Sequence, residues 1–179
     1  MVVTLIGYRG SGKSSVAGPL ANRLGWDSVD SDSVIEQRAG RTIREIFADH
    51  GEPEFRNIER KVIKELLAQN RLVIAAGGGA ILDPGMREAM RTAGPVVWLR
   101  APVEVLVGRI VTDGTSVDRR PALTDTSTED EIRTVLSCRE PLYREACTVD
   151  VTTGGRTIGD IVDELSVLLS PVLNGKDGP

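Results

Sequence analysis

The sequence predicts an α/β fold, a three-layer doubly wound sheet of five parallel strands covered by helices on both faces. Two observations lead to this prediction. Short apolar runs rich in Val, Ile and Leu recur along the chain, and segments with the apolar spacing of amphipathic helices separate them. Parallel strands that are buried on both faces have such continuous apolar runs. At 179 residues the chain is expected to form a single domain, residues 1–179.

The predicted elements alternate regularly. Strands are expected at residues 2–6, 26–29, 72–76, 95–99 and 148–151. Helices are expected at residues 14–24, 32–39, 42–49, 53–69, 84–92, 102–111, 129–146 and 158–169. Gly40 and Gly51 mark helix ends, and Pro53 suits the first turn of the helix that follows it. Residues 112–125 lack apolar periodicity, and residues 174–179 are expected to form a flexible tail.

Charge and composition exclude several classes of protein. The formal net charge of −4 argues against broad nucleic-acid binding, which usually shows as an excess of basic residues. Two cysteines are too few for a disulfide framework, and no apolar run approaches the ~18 residues of a membrane span. No secretory signal is recognisable at the N-terminus. We therefore expect a cytoplasmic protein that binds neither nucleic acid nor membranes.

A glycine-rich turn follows the first predicted strand. Residues 7–14 read Gly-Tyr-Arg-Gly-Ser-Gly-Lys-Ser, which fits the pattern G-x-x-x-x-G-K-[ST], and a helix is predicted next. In this arrangement backbone N–H groups converge on phosphate oxygens, and the helix N-terminus adds partial positive charge. Lys13 can reach the β- and γ-phosphates, and the Ser14 hydroxyl can bind Mg²⁺. The alternative, a turn that binds nothing, is disfavoured by Lys13 and Ser14, so we expect a nucleoside triphosphate site.

Other residues narrow the kind of nucleotide enzyme. The guanine-reading pattern Asn-Lys-x-Asp is absent, because none of the four asparagines is followed by lysine. The predicted strand at 72–76 ends in three glycines, where a hydrolytic ATPase would usually carry Asp-Glu. The carboxylates best placed to serve the metal are therefore those of Asp30 and Asp32. In an extended segment they point the same way, so one can face the Mg²⁺–phosphate and the other a second substrate. Alternatively, Asp32 or Ser33 caps the next helix.

The second substrate is indicated by two separated arginines. Arg56 and Glu59 are three residues apart on one predicted helix and so share a face, whereas Arg139 lies on a later helix. As a solvated surface pair, Arg56 and Glu59 would contribute only ~0.3 kcal/mol. Two arginines near a bare glycine backbone would instead suit a small, anionic, polyhydroxylated acceptor. The arginines would bind its carboxylate, while Asp32 and Glu59 would accept hydrogen bonds from its hydroxyls.

Taken in order along the chain, these motifs resemble those of the shikimate kinases. The resemblance covers nearly the whole length, and the glycine-rich motif at 7–14 is the part shared with many other nucleotide enzymes. The specific part comprises Asp-x-Asp at 30–32, Ile-x-x-Ile-Phe at 43–47, Glu-x-x-Phe-Arg-x-x-Glu at 52–59, Gly-Gly-Gly at 77–79, Arg-Pro-x-Leu at 120–123 and Arg-x-Pro-Leu-Tyr at 139–143.

The resemblance implies a fold and an activity. The fold is that of the nucleoside monophosphate kinases, with strand order 2-3-1-4-5, a shikimate-binding region at about 30–60 and a mobile lid at about 112–125. The activity is transfer of the ATP γ-phosphate to the 3-hydroxyl of shikimate, which gives shikimate 3-phosphate and ADP with Mg²⁺ as cofactor. This step belongs to the pathway to chorismate and the aromatic amino acids. The family-level expectation is a monomer.

The resemblance also assigns roles position by position. Lys13, Asp32 and Arg120 are the expected catalytic residues, with Asp32 as the base, and Ser14 and Asp30 are expected to hold the metal. ATP is expected to contact Gly10, Ser11, Gly12, Lys13, Ser14, Ser15, Arg109, Arg120 and Arg156, the adenine lying at Arg109 and Arg156. Shikimate is expected to contact Asp32, Phe47, Phe55, Arg56, Glu59, Gly77, Gly78, Gly79 and Arg139.

Two other functions remain alternatives on the sequence alone. A gluconate kinase or a nucleoside monophosphate kinase would share the fold and the phosphate loop but differ in its acceptor-side residues. A nucleotide-binding module without catalytic activity would bind ATP and release no ADP with any acceptor. Lys13, Asp30, Asp32 and Arg120 together argue against that module.

Overall fold

The computed structural model describes residues 1–112 and 128–174, and all elements below lie within them. The strands are β1 (Val2–Ile6), β2 (Asp27–Asp30), β3 (Leu72–Ala75), β4 (Val96–Arg100) and β5 (Val149–Thr152). The helices are α1 (Lys13–Leu24), α2 (Ser31–Ala39), α3 (Ile43–Leu67), α4 (Pro84–Ala93), α5 (Val103–Thr112), α6 (Thr128–Ala146) and α7 (Ile158–Asn174). A short 3-10 turn (Ala80–Leu82) follows β3.

The five strands form one parallel sheet in the order β2-β3-β1-β4-β5, which confirms the predicted fold class and strand order. β1 occupies the centre and pairs with β3 on one side and β4 on the other. Because all strands run in the same direction, their carboxyl ends lie at one edge of the sheet. In such folds ligands bind at that edge.

Alternate residues of the central strand belong to two separate cores. Val3 and Leu5 pack with residues of α1 and α7, including Leu20 and Leu165. Ile6 packs with residues of α3, α4 and α6 on the opposite face. The side-chain period of two in a strand therefore buries both faces of the sheet, as expected for a doubly wound fold. Among the helices that the structure describes, none is long and apolar enough to cross a membrane.

Two local differences from the predicted elements have clear causes. The helices expected at 42–49 and 53–69 form one helical span, α3, which is interrupted at Gly51, where φ is 76° and ψ is 177°. Glycine adopts this backbone at little cost, and Pro53 then begins the second arm. α2 begins at Ser31, one residue earlier than expected, because Asp30 caps it. The lid expected at about 112–125, with Arg120, and the tail at 174–179 lie outside the described residues except at Thr112 and Asn174.

Candidate functional site

The loop between β1 and α1 forms a concave backbone surface at the carboxyl edge of the sheet. Gly12 precedes α1 with φ 97° and ψ 13°, a left-handed conformation that favours glycine, and no side chain caps the helix there. The N–H groups of the first turn therefore face the cleft together with the positive end of the helix dipole. The Lys13 ammonium donates to the carbonyl oxygens of Gly7 and Tyr8 at 2.9 and 3.0 Å, which holds the lysine across the loop.

Asp30 joins the end of β2 to this loop. The Ser14 hydroxyl donates to Asp30 Oδ2 at 2.6 Å, while Asp30 Oδ1 accepts from the N–H groups of Asp32 and Ser33 at 2.9 and 3.4 Å. Asp30 is therefore the cap of α2, and the expectation that Asp32 or Ser33 caps it is wrong. Asp32 is not in an extended segment either. It lies in the first turn of α2, where the helix dipole favours a negative charge.

The glycine segment after β3, residues 77–79, lies between the phosphate loop and the helices α3 and α6. The Gly77 N–H donates to the buried Ser31 hydroxyl at 2.9 Å, so the turn that carries Asp30 and Asp32 is attached to this segment. A Cβ at Gly78 would lie 3.4 Å from the Gly7 carbonyl oxygen. The segments that follow β1, β2 and β3 therefore meet at one edge of the sheet.

Arg56, on the second arm of α3, is paired on both sides. Its Nη1 donates to the buried Glu59 at 2.6 Å, and its Nε and Nη2 donate to the exposed Glu52 at 3.1 and 2.9 Å. Burial lowers the pKa of Arg56, but Glu59 and Glu52 outweigh it and hold that pKa above its ordinary value. The guanidinium lies against Gly79, where a Cβ would come within 2.5 Å of Nη1. A side chain at this position would therefore displace the guanidinium from where it now lies.

Phe47 and Phe55 form an aromatic pair next to Arg56. The rings of Phe47 and Phe55 have centroids 4.7 Å apart, and the Arg56 guanidinium lies 5.1 Å from the centre of the Phe55 ring. Phe55 is fully buried, so it belongs to the core under α3, whereas Phe47 is half-buried beside it. The Phe55 ring thus gives the guanidinium a cation–π contact in addition to its two carboxylates.

Arg139 approaches the glycine segment from α6. Its Nη1 donates to the Gly78 carbonyl oxygen at 3.3 Å, and the Tyr143 hydroxyl donates to the same oxygen at 3.0 Å. Tyr143 is fully buried and stacks on Trp98 with ring centroids 5.5 Å apart. Arg56 and Arg139, which come from two distant helices, therefore contact adjacent residues of one loop.

The opposite end of the cleft is formed by α5 and the residues after β5. Arg109 donates to Gly10 O at 3.0 Å and to Thr153 O at 3.0 Å. Arg156 donates to Thr152 O at 3.2 Å and Asp160 O at 3.1 Å, and it forms an ion pair with Glu164. Both arginines line the cleft. Arg109 contacts the glycine-rich loop, whereas Arg156 contacts residues close to it in the sequence, between positions 152 and 164.

Two neighbouring cavities result. A cleft of about 520 Å³ contains the phosphate loop, Asp30, Asp32, Gly77 and Gly78, and extends to Arg109 and Arg156. A second cavity of about 340 Å³ is lined by Arg56, Glu59 and Gly79, with Glu52 at its rim. The glycine segment is common to both. Ser15 lies in the exposed first turn of α1 and also lines the larger cleft.

Comparison with known proteins identifies the family. A family model described as shikimate kinase matches residues 9–169. The chain belongs to the shikimate kinase family. The predicted resemblance is therefore confirmed, and the chain is an ATP-dependent kinase that transfers the γ-phosphate of ATP to the 3-hydroxyl of shikimate. The alternatives of a gluconate or nucleotide kinase and of a module without activity are not supported.

Individual relatives agree with this assignment. A shikimate kinase of Rhodopirellula baltica is 45% identical over 90% of this chain and 86% of the relative. One from Symbiobacterium thermophilum is 41% identical over 92% of this chain and 94% of the relative. Among solved structures, a shikimate kinase from Acinetobacter baumannii in complex with shikimate superposes with a TM-score of 0.87 at 38% identity, covering 94% of this chain and 93% of that one.

Three residues of this kinase's site were not predicted from the sequence. Ser31 holds Gly77, Tyr143 holds Gly78, and Thr153 contacts both Ser11 and Arg109. Ser31 and Tyr143 lie within motifs that carried the resemblance, but nothing in the sequence shows that their hydroxyl groups reach a distant glycine.

Replacing Tyr143 with phenylalanine is expected to raise the KM for shikimate several-fold. The change removes one of the two donors to the Gly78 carbonyl and costs about 1 kcal/mol of stability, while the packing on Trp98 is retained. Steady-state kinetics with shikimate varied at saturating ATP measures the effect. An unchanged KM for shikimate would show that Arg139 alone fixes the carbonyl.

Proposed function

We propose that shikimate and the ATP phosphates meet beside the glycine segment, and that the residues named above carry out the transfer. The observation that carries this proposal is the junction at the sheet edge, where Ser14 bonds to Asp30 and the Asp30–Asp32 turn bonds to Gly77. A nucleotide on the phosphate loop and an acceptor on the glycine segment would thereby have the γ-phosphorus and the attacking hydroxyl oxygen adjacent. Such positioning is the main demand of phosphoryl transfer.

On the nucleotide side, we propose that Gly10, Ser11 and Gly12 contact the phosphates through backbone N–H groups, with Ser15 beside them. Lys13 would neutralise the negative charge of the phosphate oxygens while that charge shifts toward ADP during the transfer. Arg109 and Arg156 would flank the adenine, together with the apolar residues Ile158 and Ile161 that line the same end of the cleft. Arg120 is proposed to add a second positive charge from the lid, a role that falls outside the described residues.

Mg²⁺ is the proposed cofactor, and Ser14 and Asp30 would hold it. Their oxygens lie 2.6 Å apart, and a hydroxyl with a carboxylate is the donor set that Mg²⁺ prefers. Among the described residues no cluster of three His, Cys, Asp or Glu side chains could form a metal cage. This fits Mg²⁺, which takes one or two protein ligands and completes its shell with phosphate and water. When bound, it would offset the negative charge of the triphosphate.

On the acceptor side, Arg56 and Arg139 are proposed to bind the shikimate carboxylate, with backbone contacts from Gly77, Gly78 and Gly79. Glu59 would orient Arg56, and Phe47 would form the apolar wall, with the fully buried Phe55 packed against it. In the structure Glu52 occupies one edge of the Arg56 guanidinium. Because Glu52 is exposed whereas Glu59 is buried, a substrate carboxylate can replace Glu52 at little cost and leave the pair with Glu59 intact.

Asp32 is proposed to accept the proton of the attacking 3-hydroxyl. It lines the cleft beside Gly77 and Gly78, between the phosphate loop and the acceptor-side loop. A loose transition state needs little early deprotonation, so an ordinary carboxylate suffices as the base. Closure of the proposed lid at about 112–125 would exclude water and suppress hydrolysis of ATP.

The chain is further proposed to act as a single-domain monomer in the cytoplasm. Its shikimate-binding region would comprise about residues 30–60. Support for the single domain comes from the continuous sheet, in which β1 and β5 share the core formed by α1 and α7.

An acceptor panel tests the function. With ATP and Mg²⁺, coupled detection of ADP is expected with shikimate, and not with gluconate or nucleoside monophosphates. Addition of a chelator should abolish turnover, and Mg²⁺ in excess should restore it. Phosphorylation of gluconate or a nucleotide in place of shikimate would contradict the acceptor assignment, and full activity in the chelator would contradict the metal.

Asp32→Asn is expected to reduce kcat about 10²-fold, because the amide cannot take the hydroxyl proton. The KM for ATP should change little. Asp27→Asn, which alters an exposed carboxylate on β2, serves as the matched control and should behave as the parent does. A parent-like kcat for Asp32→Asn would show that no base is needed at this position.

A further inference from the structure

Thr153 is a buried polar residue directly after β5, and its hydroxyl has an unusual number of neighbours. It is 1% exposed. The hydroxyl oxygen lies 3.1 Å from Ser11 O and 3.1 Å from Arg100 O, and it accepts from Arg109 Nη1 at 3.2 Å. The backbone of Thr153 is also engaged, since its carbonyl accepts from Arg109 Nη2 at 3.0 Å.

The single hydroxyl proton has a preferred acceptor. A hydroxyl donates one hydrogen bond, so it can serve either Ser11 O or Arg100 O. The Arg100 carbonyl already accepts from the backbone N–H of Thr153 at 2.7 Å, which satisfies it within the sheet. The Ser11 carbonyl gains its bond from the hydroxyl. The proton therefore belongs on Ser11 O, and the oxygen lone pairs remain available to Arg109.

The bond to Ser11 fixes the direction of an amide in the phosphate loop. In a planar trans peptide the C=O of one residue and the N–H of the next point in opposite directions. Because the Ser11 carbonyl is held toward Thr153, the Gly12 N–H points away from Thr153. Arg109 holds the preceding carbonyl, that of Gly10, at 3.0 Å. Thr153 and Arg109 line the same cleft as the loop, and together they fix two consecutive carbonyls of the loop.

We propose that Thr153 is a positioning residue for the nucleotide. Its hydroxyl orients the Gly12 amide toward the phosphates and keeps Arg109 at the end of the cleft where the adenine would lie. One side chain would thereby set the geometry at both ends of the nucleotide. The inference rests on the proposed nucleotide role of this cleft. It predicts that the hydroxyl, and not the volume of the side chain, determines nucleotide affinity, and that the acceptor site is unaffected.

The test compares Thr153→Val with Thr153→Ser. Valine keeps the shape of the side chain but removes the hydroxyl, so the hydrogen bonds from the hydroxyl to the Ser11 carbonyl and from Arg109 to the hydroxyl are lost. Serine retains the hydroxyl. Thr152→Val, at the exposed neighbouring position, is the matched control. We expect ADP dissociation constants, measured by titration calorimetry, to rise about tenfold for Thr153→Val and to stay within about twofold of the parent for Thr153→Ser and Thr152→Val. The KM for shikimate should not change in any variant.

Several outcomes would overturn the proposal. Parent-like ADP binding by Thr153→Val would do so, as would equal losses of ADP and shikimate affinity, which indicate a merely structural role. Equal weakening by Thr153→Ser would show that side-chain volume matters instead of the hydroxyl. If Thr153→Val does not fold, Thr153→Cys replaces it, because a thiol is a weak donor and should weaken ADP binding in the same direction. Parent-like ADP binding by Thr153→Cys would then overturn the proposal.

The experiment also separates this inference from the assignment of the cleft. If the parent protein binds ADP and Lys13→Met weakens or inactivates it while Thr153→Val behaves as the parent does, only the role of Thr153 fails. If Lys13→Met leaves both ADP binding and turnover intact, the cleft itself is not the nucleotide site.

Discussion

Replacement of Lys13 with methionine is expected to lower kcat for shikimate phosphorylation by about 10³-fold. The carbonyl oxygens of Gly7 and Tyr8 hold the ammonium in the cleft, and among the residues that the structure describes Lys13 is the only lysine that lines it. Methionine approximates the length of the side chain and removes its charge, so phosphate oxygens that gain charge in the transition state lose one neutralising group. Coupled detection of ADP at saturating shikimate and ATP measures the effect.

The loss must be separated from damage to the loop, because Lys13 also bonds to two loop carbonyls. Thermal unfolding of the variant checks whether the fold is retained. Lys61→Met removes an exposed lysine from α3 and is the matched control, with parent-like turnover expected. Near-normal turnover by Lys13→Met would refute the proposed role of the loop in phosphate binding.

Replacement of Arg56 with alanine is expected to weaken shikimate binding about 10³-fold, equivalent to about 4 kcal/mol. The substrate carboxylate would lose a guanidinium that is held in place by Glu59 at 2.6 Å and by the Phe55 ring. ATP binding should change far less, because Arg56 lines the neighbouring cavity and not the cleft of the phosphate loop. Titration calorimetry with each ligand separately measures the two affinities.

Arg56→Ala also leaves the buried carboxylate of Glu59 without this cation, so a loss of stability is expected in addition. Arg56→Lys is the second variant: it keeps a positive charge beside Glu59 and removes the planar fork that binds a carboxylate through two donors. Arg133→Ala, which removes an exposed arginine of α6 that is paired with the exposed Glu129 and lies outside the linings of both cavities, is the matched control. Similar, small effects of Arg56→Ala on both ligands would remove Arg56 from the acceptor site.

The local parts of this site could be predicted from the sequence because their chemistry depends on a few neighbouring residues. The glycine spacing at 7–14 requires a particular backbone, and the strand before it and the helix after it show their own apolar periods. The alternation of such elements implies a parallel sheet, which brings strand ends such as Asp30 and Gly77 to one edge without any further information.

Which of several neighbouring polar residues caps α2 could not be predicted from the sequence. The sequence offers Asp32 and Ser33 as candidates for the cap of α2, whereas in the structure Asp30 is the cap. The choice depends on where β2 ends, since a residue still in extended conformation can cap, whereas Asp32 already has a helical one. Strand length is determined by pairing with β3, which is a tertiary property.

By itself, the sequence determined the class of this protein: a parallel α/β kinase with a phosphate loop and the motifs of one family. The tertiary structure decided which groups fix the backbone of the site. These are the side-chain hydroxyls of Ser31, Tyr143 and Thr153, which form hydrogen bonds with backbone groups of Gly77, Gly78 and Ser11, respectively. The physical reason is sequence separation. These bonds join residues 46, 65 and 142 positions apart, and a hydroxyl carries no signal of its partner until the sheet has brought both to one edge.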